Sequence, residues 1–521
     1  MNLNMSRAAR CVVPILVAAL VGACALAPVY QRPAAPVAAA YPAAPAAPNR
    51  AAPPAAAIGW RDFLTDARLA RLVDLALANN RDLRVSALNI NLARAQYRIQ
   101  SAALLPSIGV DASDARQRSP ASLRVPGEPA VLSTYGASIG LSSYELDFFG
   151  RVRSLKDAAL ASYLATEQAR RSAHISLVAQ VADAYLTVQA DDEQLELTRK
   201  TLASREDAYR IAGLQFHAGT MSAYDLRQSE TLVRSAQTDL ASELRARAQA
   251  ENALTLLIGQ PLPDDLPPPR PLAEQGIAND LPVGLPSDLL ERRPDLLEAE
   301  EQLLAQNANI GAARADFFPR IALTGSYGYS SIALAGLFHG DSRSWSFAPQ
   351  LTLPIFDGGA LRANLDAAHV QKDIAVANYE KAVQIAFREV ADGLAARGTY
   401  EQQLQAQDEL VRAEEGRLAL AQLRYDKGVA SFLDVLDSER ELFGAQQTLI
   451  SVRLARLTNL VDLYRALGGG WTEQGSAGAA PAGDDAAPRP EHLAAPANIG
   501  PALPSGSDVR YSWLPVFSPP R

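Results

Sequence analysis

The second half of this chain repeats the first. Residues 82–259 are echoed by residues 295–468. Asp82-Leu83 recurs as Asp295-Leu296, and Leu105-Pro106-Ser107-Ile108 as Phe318-Pro319-Arg320-Ile321, a shift of 213. From Gly150 onward the shift is 209 without a gap: Arg153 falls on Arg362, Val181-Ala182-Asp183 on Val390-Ala391-Asp392, Gly219 on Gly428 and Gly259 on Gly468. A unit this long, used twice, builds one half of a symmetric object. The four-residue difference lies between Ile108 and Gly150, where neither copy has helical periodicity.

Within each unit the apolar period changes twice. Trp60 to about Leu104 reads as helix, with Leu69, Leu72, Val73, Ala76 and Leu77 at i, i+3, i+4, i+7 and i+8, and Pro106 ends it. The period then falls to two. Ile108, Val110 and Ala112 alternate with small or polar residues, as do Tyr135, Ala137, Ile139 and Leu141. In the second copy Ile321, Leu323, Tyr327 and Tyr329 face one way while Ala322, Thr324, Ser326, Gly328 and Ser330 face the other. Trp345, Phe347, Leu351, Leu353 and Ile355 continue the pattern. Strands of about ten residues, apolar on one face and small-polar on the other, are the signature of an outer-membrane barrel. A soluble hairpin packed on helices also explains the alternation. Four strands cannot close a barrel, so a pore needs several copies of the chain.

After each hairpin comes a helix of about 60 residues, roughly 155–213 and 364–424, on the order of 90 Å long. Its seam runs Val178, Val181, Tyr185, Val188, Asp192, Leu195, Arg199, Leu202, Glu206, Tyr209. The spacing of 3,4,3,4 is a coiled-coil repeat. The counterpart runs Phe387, Val390, Leu394, Arg397, Glu401, Leu404, Asp408, Val411, Glu415, Leu418. Charges interrupt both seams at matching places, which predicts like neighbours in both halves, as in a ring of helices. Return helices follow at about 222–257 and 431–466.

The ends of the chain differ from its body. Arg7 and Arg10, an apolar run from Val12 to Val21 and then small residues read as an export signal over 1–23. The run is too short for a transmembrane helix. It ends Leu20-Val21-Gly22-Ala23-Cys24, which resembles a lipobox, so Cys24 is the expected lipidation site; an ordinary signal peptide with an incidental cysteine is the alternative. Cys11 lies in the discarded segment, leaving Cys24 without a disulfide partner. Ala25 rather than Asp follows, which in such lipoproteins fits the outer membrane. Residues 24–59 read as a Pro/Ala-rich tether that neither forms helix nor packs, 260–287 as a proline-rich linker between repeats 60–259 and 288–471, and 472–521 as a disordered tail. Net charge −8 gives no basic surface for nucleic acid. None of His174, His217, His339, His369 and His492 falls in metal-ligand spacing, so neither cofactor nor enzymatic activity is expected.

The turns between long and return helices carry the most informative short motifs. They are Phe216-His217-Ala218-Gly219-Thr220-Met221-Ser222-Ala223-Tyr224-Asp225 and Tyr425-Asp426-Lys427-Gly428-Val429-Ala430-Ser431-Phe432-Leu433-Asp434. Gly219 and Gly428 can adopt the left-handed conformation that ends a helix. Ser222 with Asp225 and Ser431 with Asp434 form S-x-x-D boxes, so capping is the expected main role of both carboxylates. Asp437, one turn past Asp434, is not needed for the cap. It belongs either to an acidic ring at a mouth or to a solvated surface.

With these turns the chain resembles the TolC/OprM family of outer-membrane efflux ducts, in the lipoprotein branch often called NodT-like. Tyr144-Glu145-Leu146-Asp147-Phe148-Phe149-Gly150-Arg151 and Leu353-Pro354-Ile355-Phe356-Asp357-Gly358-Gly359 are similar to the family's strand-to-helix junctions. Leu285-Pro286-Ser287-Asp288-Leu289-Leu290-Glu291-Arg292-Arg293-Pro294-Asp295 is its most distinctive stretch, and Cys24 to Pro33, Trp60 and Phe63 match the branch's N-terminus. The resemblance covers residues 24–470. It implies a mainly α fold with membrane β: a homotrimer whose twelve strands form one barrel, continued by a periplasmic α-helical barrel. Residues 60–75, 260–287 and 467–471 would belt the waist. Gly219, Gly428, Ser222 and Ser431 would lie at tips where a periplasmic membrane-fusion adaptor docks. Asp434 and Asp437 match carboxylates ringing the entrance, and Asp225 and Tyr425 match residues bracing the closed gate. TolC itself places an arginine two residues after the second tip glycine; Ala430 stands there, so that latch does not carry over.

The resemblance implies a passive exit duct for small toxic compounds, in the outer membrane of a Gram-negative bacterium, fed by an inner-membrane RND transporter through the adaptor. The same duct serving type I protein secretion, or a periplasm-spanning structural lipoprotein without a pore, are the alternatives.

Overall fold

The computed structural model describes residues 26–42, 54–120, 122, 124, 127, 129–278, 281–282 and 286–472. Cys24, the signal segment and almost all of the 472–521 tail therefore lie outside the described residues. No described helix is long and apolar enough to cross a membrane.

The first expected helix is three. α1 (Trp60–Phe63), α2 (Ala67–Asn79) and α3 (Arg81–Ala102) replace a continuous rod from Trp60 to Leu104. The breaks are caused by side chains that compete for backbone groups. The Asp66 carboxylate accepts the Arg68 N–H at 2.7 Å, and the Asn80 amide oxygen accepts the Leu83 N–H at 2.9 Å. Leu69, Leu72, Val73 and Ala76 are buried as the periodicity requires, while Leu77 is only half-buried.

Four strands follow in pairs: β1 (Ile108–Arg118) and β2 (Val131–Leu146), then β3 (Arg320–Ser331) and β4 (Arg343–Thr352). They form one antiparallel sheet in chain order. Its register carries the period-two pattern straight across. Val110 lies opposite Ile139, Ile139 opposite Tyr327, and Tyr327 opposite Trp345. The other face holds Asp111, Ser138, Gly328 and Ser344 in the adjoining row. On that face a Cβ at Gly328 would meet the Ala137 carbonyl at 2.2 Å, and one at Gly140 would meet the Gly325 carbonyl at 2.9 Å. Only glycine lets the sheet coil this tightly toward its small-polar side. A bulge between Leu141 and Tyr144, with Ser143 at φ 50°, adds further twist. β4 stops at Thr352, so Leu353 and Ile355 lie beyond the strand rather than on it; Pro354 cannot supply a ladder N–H.

The long helices are α4 (Arg151–His217) and α8 (Ala360–Asp426), each of 67 residues, with return helices α5 (Ala223–Ile258) and α9 (Phe432–Ala466). Between the halves stand α6 (Pro286–Arg292) and α7 (Pro294–Ala315). The long helices begin about four residues earlier than the periodicity indicated, because Gly150 and Gly359, at φ 76° and 92°, turn the chain directly into them. Asp147 and Asp357 meet the freed N–H groups: Arg153 N–H donates at 2.9 Å and Leu361 N–H at 2.6 Å. α4 packs on α5, α8 on α9, and α4 on α9; α7 lies against both α4 and α8, whereas α3 packs on α4.

The charged seam positions serve the helical pairs. Asp192 accepts from Arg247 at 3.0 Å and Glu401 from Arg456 at 2.8 Å, the same bridge repeated at the 209 offset. Arg199 and Glu206, however, are exposed. In the lower part of α4 the buried line passes instead through Thr198, Arg205 and Ala212, which are seven residues apart.

The main core is a belt around the middle. Trp60, Phe63, Leu69 and Leu72 pack with Val181, Tyr185, Leu460 and Tyr464, and the Phe63 and Tyr464 rings stack at 4.0 Å. Leu64 bridges Ile277, the Thr65 N–H donates to Gly276 O, and the Trp60 N–H reaches Thr472 O. The proline-rich stretch expected to be a tether is not free over residues 26–42. It runs back along α7: Leu26 O accepts from Arg314, Pro28 O from Asn307, and Tyr30 and Arg32 both hold Glu300. Tyr41 then stacks on Phe387 at 5.0 Å. Proline excludes helix here but does not exclude packing as an extended strap.

Candidate functional site

Two places stand out in the fold: the sheet and the turns at the far end of the helical pairs. At the first turn α4 ends with the Gly219 N–H bonded to Phe216 O and the Thr220 N–H to Gln215 O at 2.9 Å. At the second the Gly428 N–H reaches Tyr425 O and the Val429 N–H reaches Arg424 O at 2.9 Å. Both are Schellman-type closures, with glycines at φ 75° and 69°.

The caps that follow are not identical. Ser431 and Asp434 form a reciprocal box: the Ser431 hydroxyl takes the Asp434 N–H, and the Asp434 carboxylate takes the Ser431 N–H at 3.1 Å. Ser222 accepts the Asp225 N–H at 3.1 Å, but its hydroxyl donates to the Asp225 carboxylate at 2.7 Å, so the return arm to backbone is not made. Asp437 pairs with Arg440 at 3.3 Å and is partly exposed. Tyr425 packs its ring on Phe432 at 5.2 Å and donates its hydroxyl to Gln215 at 3.2 Å, tying α8 to α4. Asp225 and Tyr425 are not hydrogen-bonded to each other within the chain. Gln215 is a partner that sequence reasoning missed; only its place one residue before Phe216, in a turn already singled out, pointed to it.

Above the turns, the inter-helical contacts are mixed. Arg205 on α4 is buried, sits 5.1 Å over the Phe443 ring of α9 and donates to Leu232 O of α5. Burial lowers its basicity, with Glu439 and Asp239 acting in the other direction. At the belt, Arg293 just before α7 is 7% exposed and joins Asp295, Glu389 of α8 and the Ala466 carbonyl of α9. Pro294, with Asp295 just after it, stands in the first turn of that helix, where its missing N–H costs nothing. Among the described residues no cluster of His, Cys, Asp and Glu could hold a metal ion.

The chain matches the model of a family described as outer membrane efflux protein, over residues 72–260 and again over 285–469. It is 51% identical over 457 residues to the toluene efflux pump outer membrane protein TtgC of Pseudomonas putida, covering 87% of this chain and 94% of that one. Outer membrane protein OprJ of Pseudomonas aeruginosa is 48% identical over 459 residues, covering 88% and 95%. Among solved structures, the open state of the MtrE outer membrane channel of Neisseria gonorrhoeae matches with TM-score 0.79 at 41% identity, covering 87% of this chain and 99% of that one.

Proposed function

The chain belongs to the outer membrane efflux protein family, and on that premise we propose that three copies form the passive exit duct of a tripartite RND-type pump for small toxic compounds. One observation carries the reading. The sheet has an apolar face that runs across all four strands from Val110 to Trp345 and gives way to Asp114 and Arg116 toward the end of β1, a small-polar opposite face, and two outer strands, β1 and β4, that each pair on one side only. Apolar residues on the outward phase stand open to solvent, among them Val110, Trp345 and Phe347. Such a sheet is stable in a bilayer only when its edges are closed by further copies. The helices support the same assembly. α7 is sandwiched between α4 and α8, yet its repeat counterpart α3 packs on α4 and leaves Val85, Leu88, Leu92 and Ile99 exposed on one stripe. The missing neighbour is α8 of the next copy.

The outer-membrane end receives a second hold through Cys24. Leu26 O accepts from Arg314, six residues before β3 begins, so the described strap starts close to the foot of the sheet, which supports an anchor at that end. A diacylglyceride and an amide-linked acyl chain there would anchor stably. At the opposite end Gly219, Ser222, Gly428 and Ser431 form the adaptor-docking turns, and Asp225, Tyr425, Asp434 and Asp437 line the gate. Relatives named for toluene and antibiotic efflux support small toxic compounds as the cargo. The trimer binds no nucleotide and couples no proton; the inner-membrane transporter supplies the work.

Planar-bilayer recording tests the gated duct: purified protein should run as a heat-dissociable trimer and conduct weakly until the tips are perturbed. A monomer without current sinks the reading, and an open-porin current at rest sinks the gate. A deletion strain should become drug-sensitive with its secreted proteome intact; the reverse pattern selects type I secretion. Cys24→Ser should abolish labelling by a clickable palmitate analogue.

A further inference from the structure

The repeat carries information about a contact that one chain cannot show. α4 and α8 begin and end 209 residues apart, as do the first residues of α5 and α9. Within the chain α4 packs on α9, the long helix of one half against the return helix of the other. In a closed ring of copies the same relation must recur between α8 of one copy and α5 of the next. Each contact at the in-chain seam therefore names a pair of positions at the seam between copies.

At the in-chain seam the Arg205 guanidinium lies 5.1 Å over the Phe443 ring. The positions 209 residues away are Glu414 on α8 and Arg234 on α5, an acid facing a base. At the tip, Gln215 of α4 accepts from Tyr425 of α8 at 3.2 Å. The corresponding positions are Arg424 and Phe216, a cation facing a ring. Neither pair repeats the chemistry of its parent, yet both are complementary. We propose that Arg234 pairs with Glu414 of the partner subunit, and that Arg424 lies on Phe216 of the partner subunit, making the seam between copies ionic at the level of Arg205 and Phe443 and cation–π at the tip. This rests on the ring assembly proposed above. In the single chain Arg234 is largely exposed and reaches Glu230 at 3.8 Å, while Glu414 reaches Arg417 at 3.1 Å. Each pair has an exposed arginine, Arg234 or Arg417, so neither is worth much, and assembly can exchange them for a pair across the seam.

The consequence is that the two kinds of seam respond differently to salt, because screening weakens an exposed ionic contact and leaves an aromatic one almost unchanged.

The test uses the full chain carrying R234C and E414C together, in which the only other cysteines are Cys11 and Cys24. Oxidation should give dimer and trimer bands that survive boiling and vanish with reductant, while each single cysteine variant stays monomeric after boiling. A double variant that migrates as a trimer when unheated, yet remains entirely monomeric after oxidation and boiling, overturns the pairing and leaves the duct intact. A variant that never migrates as a trimer, matched by the unmutated protein, overturns the duct itself. Charge reversal gives an independent reading: R234E and E414R should each lower the temperature at which the trimer dissociates, and R234E/E414R should recover most of that loss. A double reversal no better than the worse single one also overturns the pairing.

Discussion

Replacing Arg293 by methionine should loosen one end of α9 by about 3 kcal/mol. The guanidinium is almost wholly buried and holds the Ala466 carbonyl at 3.1 Å, Asp295 at 2.8 Å and Glu389 at 2.7 Å. Removing one member of a buried ion pair costs roughly 3–5 kcal/mol, mostly through the charge left behind. Two features place this site near the lower end. Asp295 is 36% exposed and can hydrate, and Glu389 keeps Arg465 at 4.0 Å. Because 1.4 kcal/mol is a factor of ten, local opening should become on the order of a hundredfold more frequent. Hydrogen exchange reads this directly at the N–H groups of Leu467, Gly468 and Gly469, which bond back to Leu463, Arg465 and Tyr464. Exchange at Ser222–Asp225 should not change. Adding Glu389→Met should recover part of the loss, since two apolar partners leave no uncompensated charge. If R293M exchanges like the unmutated protein, or if the double variant is worse than the single one, the buried pair does not govern this end of the belt.

Three further outcomes follow from the geometry. Ser431→Ala should cost about 1 kcal/mol of local helix stability and Ser222→Ala less, because only the second turn has the reciprocal box; limited proteolysis at each turn ranks them, and equal nicking refutes the difference. Asp183 is pushed up to about 7 by burial and by Asp462, with Arg465 opposing; its folded state holds a proton more tightly than the unfolded chain, so stability should fall as pH rises from about 4 to about 7. Asp183→Asn should therefore raise the unfolding midpoint at pH 8 with a gain that shrinks toward pH 4, and a pH-independent gain would refute the burial account. On β1, Val110→Arg should cost about 2–4 kcal/mol of membrane insertion while the neighbouring Asp111→Arg costs little, as read by folding yield into vesicles; equal losses would mean the sheet does not face lipid on one side.

The alternation of the strands was fully legible, because a period of two is set by the backbone and needs no partner to be read. Leu353 and Ile355 misled only because they prolong the phase past Pro354. The break at Asn80 was legible in principle, since asparagine is a preferred cap, but its neighbours keep the helical apolar period running through it. The strap over residues 26–42 was not legible. Its contacts are single points far apart in sequence, such as Tyr30 and Arg32 on Glu300, and proline-rich segments have no period that marks a buried face. The lower seam of α4 shifted from Arg199 and Glu206 to Thr198 and Arg205 for a related reason. Arginine reads as a surface residue until a ring such as Phe443 is known to lie beneath it.

The repeat also separates what the architecture demands from what each half has been free to change. Asn80 donates to Leu257 O at 2.9 Å, and Arg293, its counterpart at the 213 offset, donates to Ala466 O, the counterpart of Leu257 at the 209 offset. The same carbonyl at the end of each return helix is tied to the residue preceding the short helix, by an amide in one half and a guanidinium in the other. The following glycines agree: a Cβ at Gly259 would meet Asn79 O at 2.6 Å, and one at Gly468 would meet Arg292 O at 3.2 Å. Both carry positive φ, so close approach and chain reversal both require glycine there. The invariant is therefore the joint and not the residue that makes it. Arg293 reaches further than Asn80 can, and so recruits Glu389 and couples α7, α8 and α9 in one cluster, whereas Asn80 fastens only α3 to α5. Asn80→Ala should accordingly cost less than R293M and leave α8 undisturbed. That asymmetry brings the long helix into the joint of the second half and leaves it out of the first.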